Sequence, residues 1–80
     1  MKIPVIKKLI EEATIEQLQA AEESIMNEET PQIEIKGDDE GEQLTHVFAA
    51  IYILRKMKSD GVDFKSALRE YTQKVRTSIS

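Results

Sequence analysis

The chain has 80 residues, of which 32% are charged and 40% are hydrophobic, and its formal net charge is −4. This length allows a single domain over residues 1–80, and the absence of cysteine excludes disulfides, thiolate metal sites and cysteine nucleophiles. The N-terminal stretch carries lysines where a signal peptide would need an apolar region, which predicts a cytoplasmic protein. The acidic total gives no general reason to approach nucleic acid or an anionic membrane.

The first part of the chain predicts two helices. Pro4 suits a first helical turn, and the apolar residues that follow it at helical spacing predict a helix over 4–13. Thr14 and Gln17 match a capping box, so a second helix is expected over 15–28. This helix should end before Pro31, because the residue that precedes a proline is pushed toward extended geometry.

Residues 32–36 alternate between polar and apolar side chains, which predicts one short extended segment or strand. A lone strand leaves its backbone donors and acceptors unpaired, and the sequence has no second alternating run. The segment is therefore expected either to lie across the helices or to pair with its own copy around a two-fold axis.

The stretch Leu44–Leu54 is apolar in nearly every direction around a helix, and it lies within a helix predicted over 40–59. Such a helix must be covered on most sides, and an 80-residue chain has few elements with which to cover it. We therefore predict a homodimer whose interface includes Phe48, Tyr52 and Ile53.

A last helix is predicted over 64–78. Gly61 can take the left-handed conformation that ends the preceding helix, and Asp63 can cap the last one. The fold class is accordingly mainly α, a small bundle of about four helices with the extended segment at 32–36.

Charge is unevenly distributed along the chain. Residues 28–42 hold seven acids and one lysine, whereas residues 55–76 hold seven bases and three acids. Two candidate docking surfaces follow from this asymmetry. They comprise an acidic set, Asp38, Asp39 and Glu40, and a basic set, Lys65, Arg69 and Arg76.

Metal binding is an alternative function. His46 is the only histidine, and Glu42 lies one helical turn before it, so the two could share a metal ion on one helix face. Two ligands do not define a site, and the competing interpretation is a partly buried histidine that meets Glu42 or a backbone carbonyl. No bound cofactor is predicted.

Catalysis is not predicted, because His46 is the only possible imidazole base and no glycine-rich phosphate loop or nucleophile turn is present. Weak nucleic-acid binding through the basic set of the last helix is a further alternative. The acidic total and the length of the preceding helix argue against it.

Four stretches carry a resemblance to known sequences: Met1-Lys-Ile-Pro-Val-Ile-Lys-Lys8, Leu44-Thr-His-Val47, Gly61-Val-Asp-Phe-Lys65 and Leu68-Arg-Glu-Tyr-Thr72. They resemble a family of short uncharacterised bacterial proteins, a domain of unknown function. The resemblance covers nearly the whole chain and implies a cytoplasmic bacterial protein, but it transfers no activity and no site residues. The function predicted from the sequence is a non-catalytic, homodimeric protein–protein interaction module with an unidentified protein partner.

Overall fold

The structure is a computed structural model that describes residues 2–79, with side chains described from Lys2 to Val75. Within these residues the chain forms four helices, α1 (Ile3–Glu12), α2 (Ile15–Met26), α3 (Glu40–Asp60) and α4 (Phe64–Ile79). The predicted mainly α bundle is confirmed, and each predicted boundary lies within two residues of the observed one.

Helix α3 is the centre of the bundle, because α1, α2 and α4 each pack against it. Its apolar circumference explains this arrangement, since three neighbours are needed to cover its buried residues. Every helix contributes to the core. Its buried hydrophobic residues are Ile6, Leu9, Leu18, Ala21, Ile25, Ile35, Val47, Ala49, Ala50, Ile51, Ile53, Leu54 and Ala67.

Local signals set the helix ends. The Thr14 hydroxyl accepts a hydrogen bond from the Gln17 N–H at 3.1 Å, and the Gln17 side chain accepts from the Thr14 N–H at 2.9 Å, which completes the predicted capping box. Helix α3 ends at Gly61, whose φ of 67° is left-handed and whose N–H donates to the Met57 carbonyl at 3.1 Å.

The prediction of an extended segment or strand at 32–36 is wrong. No strand occurs between residues 2 and 79, and residues 30–39 form an irregular connection. The alternation has a different cause, because Ile35 is 7% exposed and fills part of the core while its polar neighbours Glu34 and Lys36 face outward. The segment has no second strand to supply ladder hydrogen bonds, so it does not form regular structure. The burial of Ile35 holds it in place.

Within the described part of the chain, no helix is both long and apolar enough to cross a membrane.

Candidate functional site

His46 lies fully buried at the junction of α1, the 30–39 connection and α3. Its Nε2 accepts a hydrogen bond from the backbone N–H of Lys2 at 2.9 Å, and its Nδ1 lies 2.7 Å from the Lys36 carbonyl oxygen. A backbone N–H can only donate and a carbonyl can only accept, so the ring must carry its proton on Nδ1. Both ring nitrogens are therefore engaged by backbone groups.

This geometry does not favour the metal site predicted from Glu42 and His46. The imidazole has no lone pair left for a metal ion, since Nε2 uses its own to accept from Lys2. Glu42 instead accepts from the Asp38 N–H at 3.0 Å and lies 3.8 Å from the Lys2 amine. Among the described residues, no group of three histidine, cysteine or acidic side chains could hold a metal ion.

An exposed aromatic patch lies where α3 meets α4. Phe48 is 45% exposed, and Tyr52 and Tyr71 next to it form a tilted pair with ring centroids 5.5 Å apart. Burial raises the pKa of the Tyr71 hydroxyl above its ordinary value. The Lys74 amine lies 5.4 Å from the centroid of the Tyr52 ring, within range of a cation–π interaction.

The patch borders a shallow cleft of about 370 Å³, and cationic side chains form much of its rim. We call this surface the aromatic patch. Its members are Phe48, Tyr52 and Tyr71, and its basic rim is formed by Arg55, Lys56 and Lys74.

One predicted interface residue is misplaced. Ile53 is 0% exposed and belongs to the core, so the prediction that it contributes to an interface is wrong. On a helix, the five-residue step from Phe48 to Ile53 rotates the side chain by about 140°, which turns Ile53 toward the other helices. Phe48 and Tyr52 do reach the surface, and their place in an interface stays a prediction.

The acidic set largely supports the local structure. Asp39 caps α3 by accepting from the Glu42 N–H at 2.8 Å, and Asp38 lies 3.4 Å from the Lys2 amine. Carboxylates here also interact favourably with the positive end of the α3 dipole. Glu40 is exposed in the first turn of α3.

The basic set is only partly described. Lys65 and Arg69 are exposed on α4, while the Arg76 side chain lies outside the described side chains. Elsewhere at the α3–α4 interface, Lys56 lies 3.0 Å from Asp60 and 3.7 Å from Glu70, and these carboxylates raise its pKa. Nucleic-acid binding through the basic set stays a prediction.

A second cavity, of about 390 Å³, lies between α1 and the 30–39 connection. Its floor is apolar and includes Val5, Leu9 and Ile33, and its rim carries both lysines and glutamates. We call it the α1 groove. Sequence reasoning missed it, because the partner of α1 here is an irregular connection rather than a helix with its own periodicity.

The sequence model of a protein family described as a family of unknown function, DUF6952, matches residues 1–80. No curated protein and no solved structure matches the chain.

Proposed function

The chain belongs to DUF6952, a family of unknown function, and we propose that it is a non-catalytic interaction module that forms a homodimer through the aromatic patch. The observation that carries the proposal is Phe48, a large apolar side chain left 45% exposed on the central helix. Aromatic side chains that are surrounded by a polar rim are typical anchors of protein–protein interfaces.

A second copy of the chain fits this face because of how charge is placed along α3. Glu40 and Lys58 are eighteen residues apart, which is five full helical turns, so they lie on the same side of the helix. Both are exposed, one near each end of α3. Phe48 and Ile51 lie about midway between them, on an adjacent face.

An antiparallel pair of α3 helices, related by a two-fold axis near Phe48, brings Glu40 of each copy beside Lys58 of the other. The arrangement is isologous, so each favourable contact occurs twice. The aromatic residues then meet at the centre, where water is excluded. The pairs of Glu40 with Lys58 lie toward the ends of the paired helices, where they fix the orientation.

The non-catalytic part of the proposal rests on His46, the only imidazole in the chain. Its two ring nitrogens are engaged by the backbone of Lys2 and Lys36, so it is not positioned to act as a general base. Two carboxyl groups have lowered pKa values, and hydrogen bonds within the fold account for both. Asp60 accepts hydrogen bonds from Lys56 and Ser59, and Asp63 accepts them from Ser66.

Sedimentation equilibrium of the full chain, over a wide concentration range, tests the dimer. We expect Phe48→Ser to weaken association by at least about tenfold, because it removes the central anchor. Met26→Ser is the matched control, since Met26 is 63% exposed but lies on α2, away from the patch. A wild-type protein that stays monomeric at millimolar concentration would refute the homodimer.

Charge exchange tests the antiparallel orientation. Glu40→Lys and Lys58→Glu should each weaken the dimer, because each variant brings like charges together where residue 40 of one copy lies beside residue 58 of the other. The double variant should recover most of the affinity, since it restores opposite charges with the signs exchanged. A double variant that is weaker than both single variants would rule out this orientation while leaving the aromatic patch as the interface.

A further inference from the structure

We propose that His46 is a proton-operated latch that holds the N-terminal end of α1 and the 30–39 connection against α3. The inference is independent of the proposed homodimer. It rests on a fully buried imidazole whose two hydrogen-bond partners belong to two different segments of the chain.

The latch joins segments that are distant in sequence. Lys2 is 44 residues from His46, and Lys36 is 10 residues from it. The Lys2 carbonyl accepts from the Val5 and Ile6 N–H groups at 3.1 and 3.3 Å, so the residue held by the ring also begins the hydrogen bonding of α1. Lys36 lies in the segment that forms the other wall of the α1 groove. His46 thus connects α3 to the start of one wall, through Lys2, and to the other wall, through Lys36.

The neutral ring fits this position and the charged ring does not. One neighbour is a donor and the other is an acceptor, which matches an imidazole that carries a single proton on Nδ1. A second proton, on Nε2, would point at the Lys2 N–H, so that two donors would face each other. The hydrogen bond to Lys2 would be lost, and a buried N–H left without an acceptor costs free energy.

Four charged side chains belong to the two residues that bond to the ring and to the two acids at their side. They are Lys2 at the start of α1, Lys36 and Asp38 in the connection, and Glu42 one turn before His46 on α3. The Lys2 amine lies 3.4 Å from Asp38 and 3.8 Å from Glu42, so these carboxylates are directed at the lysine. From the other elements, α2 and α4 contribute apolar residues to the core, namely Leu18, Ala21, Ile25 and Ala67.

Proton uptake by His46 therefore releases Lys2 from the ring, frees the first turn of α1 and opens the α1 groove. Because the chain has a single histidine, such a transition can be assigned to one residue.

Nuclear magnetic resonance of the full, ¹⁵N-labelled chain tests the latch. At about pH 7.5 the ring nitrogen shifts should report the Nδ1–H form. When the ring gains its second proton at lower pH, amide exchange at Lys2, Val5 and Ile6, corrected for the intrinsic effect of pH, should accelerate by about tenfold or more. The Gly61 amide, bonded to Met57 at the far end of α3, should not respond.

Two variants serve as controls. The glutamine side chain of His46→Gln cannot take up a proton as the imidazole does. Its corrected exchange at Val5 and Ile6 should therefore not depend on pH. Lys2→Ala removes the lysine amine but keeps the backbone N–H, so the response should persist. A ring that is protonated while Lys2 exchange stays unchanged would overturn the proposal, as would a ring that remains neutral at every pH at which the chain is folded. A response that is lost in Lys2→Ala would assign the transition to the carboxylates instead. If His46→Gln does not fold, the wild-type ring and amide signals still decide the question.

Discussion

Phe48 and Ile53 lie five residues apart on the same helix and have opposite environments. Phe48 is 45% exposed and Ile53 is 0% exposed. Both are large and apolar, and both fall in a stretch that is apolar on nearly all sides. The three helices that pack on α3 cover the side of Ile53 and leave the side of Phe48 exposed. The local sequence does not specify which side is covered.

The two residues should therefore respond differently to truncation. We expect Ile53→Ala to lower the free energy of unfolding by about 2–5 kcal/mol, because it leaves a cavity in the core. Phe48→Ala should cost only about 1 kcal/mol in dilute solution, since much of this side chain already contacts water. Urea denaturation at low protein concentration measures both, and equal losses would contradict the assigned environments.

The Asp63 carboxylate caps the N-terminal end of α4. Its Oδ1 accepts a hydrogen bond from the Ser66 N–H at 2.8 Å at the start of α4, and this bond is the largest cause that lowers the pKa of the carboxyl group. A carboxyl whose pKa is lower in the folded chain than in the unfolded chain stabilises the fold above the unfolded pKa. This contribution is lost as pH falls through the folded pKa.

Stability should consequently decline in acid, and part of the decline should depend on Asp63. Asp63→Asn keeps a side-chain acceptor for capping but removes the ionisable group. We expect the difference in urea midpoint between wild type and variant to favour wild type near neutral pH and to shrink below about pH 4. A difference that is constant with pH would show that the cap does not depend on ionisation.

At the scale of the element, two helices end with a residue in the left-handed conformation. Gly61 ends α3 with a φ of 67°, and Glu28 follows α2 with a φ of 60°. At the end of α2, the Glu28 N–H donates to Ile25 and the Glu29 N–H donates to Ser24, which is the hydrogen-bond pattern of a Schellman motif. Glycine is the usual residue at such a position, so the glutamate introduces backbone strain.

This comparison predicts substitutions of opposite sign. Glu28→Gly should raise the free energy of unfolding by about 0.5–1 kcal/mol, because relief of the left-handed strain exceeds the entropic cost of glycine. Gly61→Ala should lower it by about 1 kcal/mol, although a Cβ at this position would meet no atom within 4 Å. Thermal denaturation followed by circular dichroism measures both, and a loss of stability in Glu28→Gly would contradict the assigned strain.

At the scale of the whole molecule, α3 holds the other three helices together. Helix α4 packs mainly against α3, and among its described side chains only Ala67 is buried. Apolar burial is the main favourable term in folding. The α4 helix is therefore attached by less of this free energy than α1 or α2, each of which buries at least two large apolar side chains.

Local opening should begin with α4. In native-state hydrogen exchange, we expect the amides of α4 to exchange at least about tenfold faster than those of Val47–Leu54, because elements with few buried contacts open at lower free energy. The comparison should be made at a concentration where the protein is monomeric, since a homodimer through the aromatic patch would also protect α4. Equal protection of α3 and α4 in the monomer would show that they open as one unit.

The sequence alone determined the helices and most of their ends. Thr14 with Gln17, Asp63 and Gly61 act through backbone groups within four residues of themselves, so their effect does not depend on the rest of the fold. The alternation at 32–36 misled for the complementary reason, because a strand requires hydrogen bonds from a second strand, whereas Ile35 is held by side-chain packing in the core.

The tertiary structure decided the candidate sites. It buried Ile53, left Phe48 at the surface beside Tyr52 and Tyr71, and enclosed His46 between Lys2 and Lys36. The two partners of His46 are backbone groups, which every residue apart from proline offers in the same form, so no choice of side chain marks them in advance. They are brought to the ring by the packing of segments that are distant along the chain, and only the folded arrangement of the helices specifies that packing.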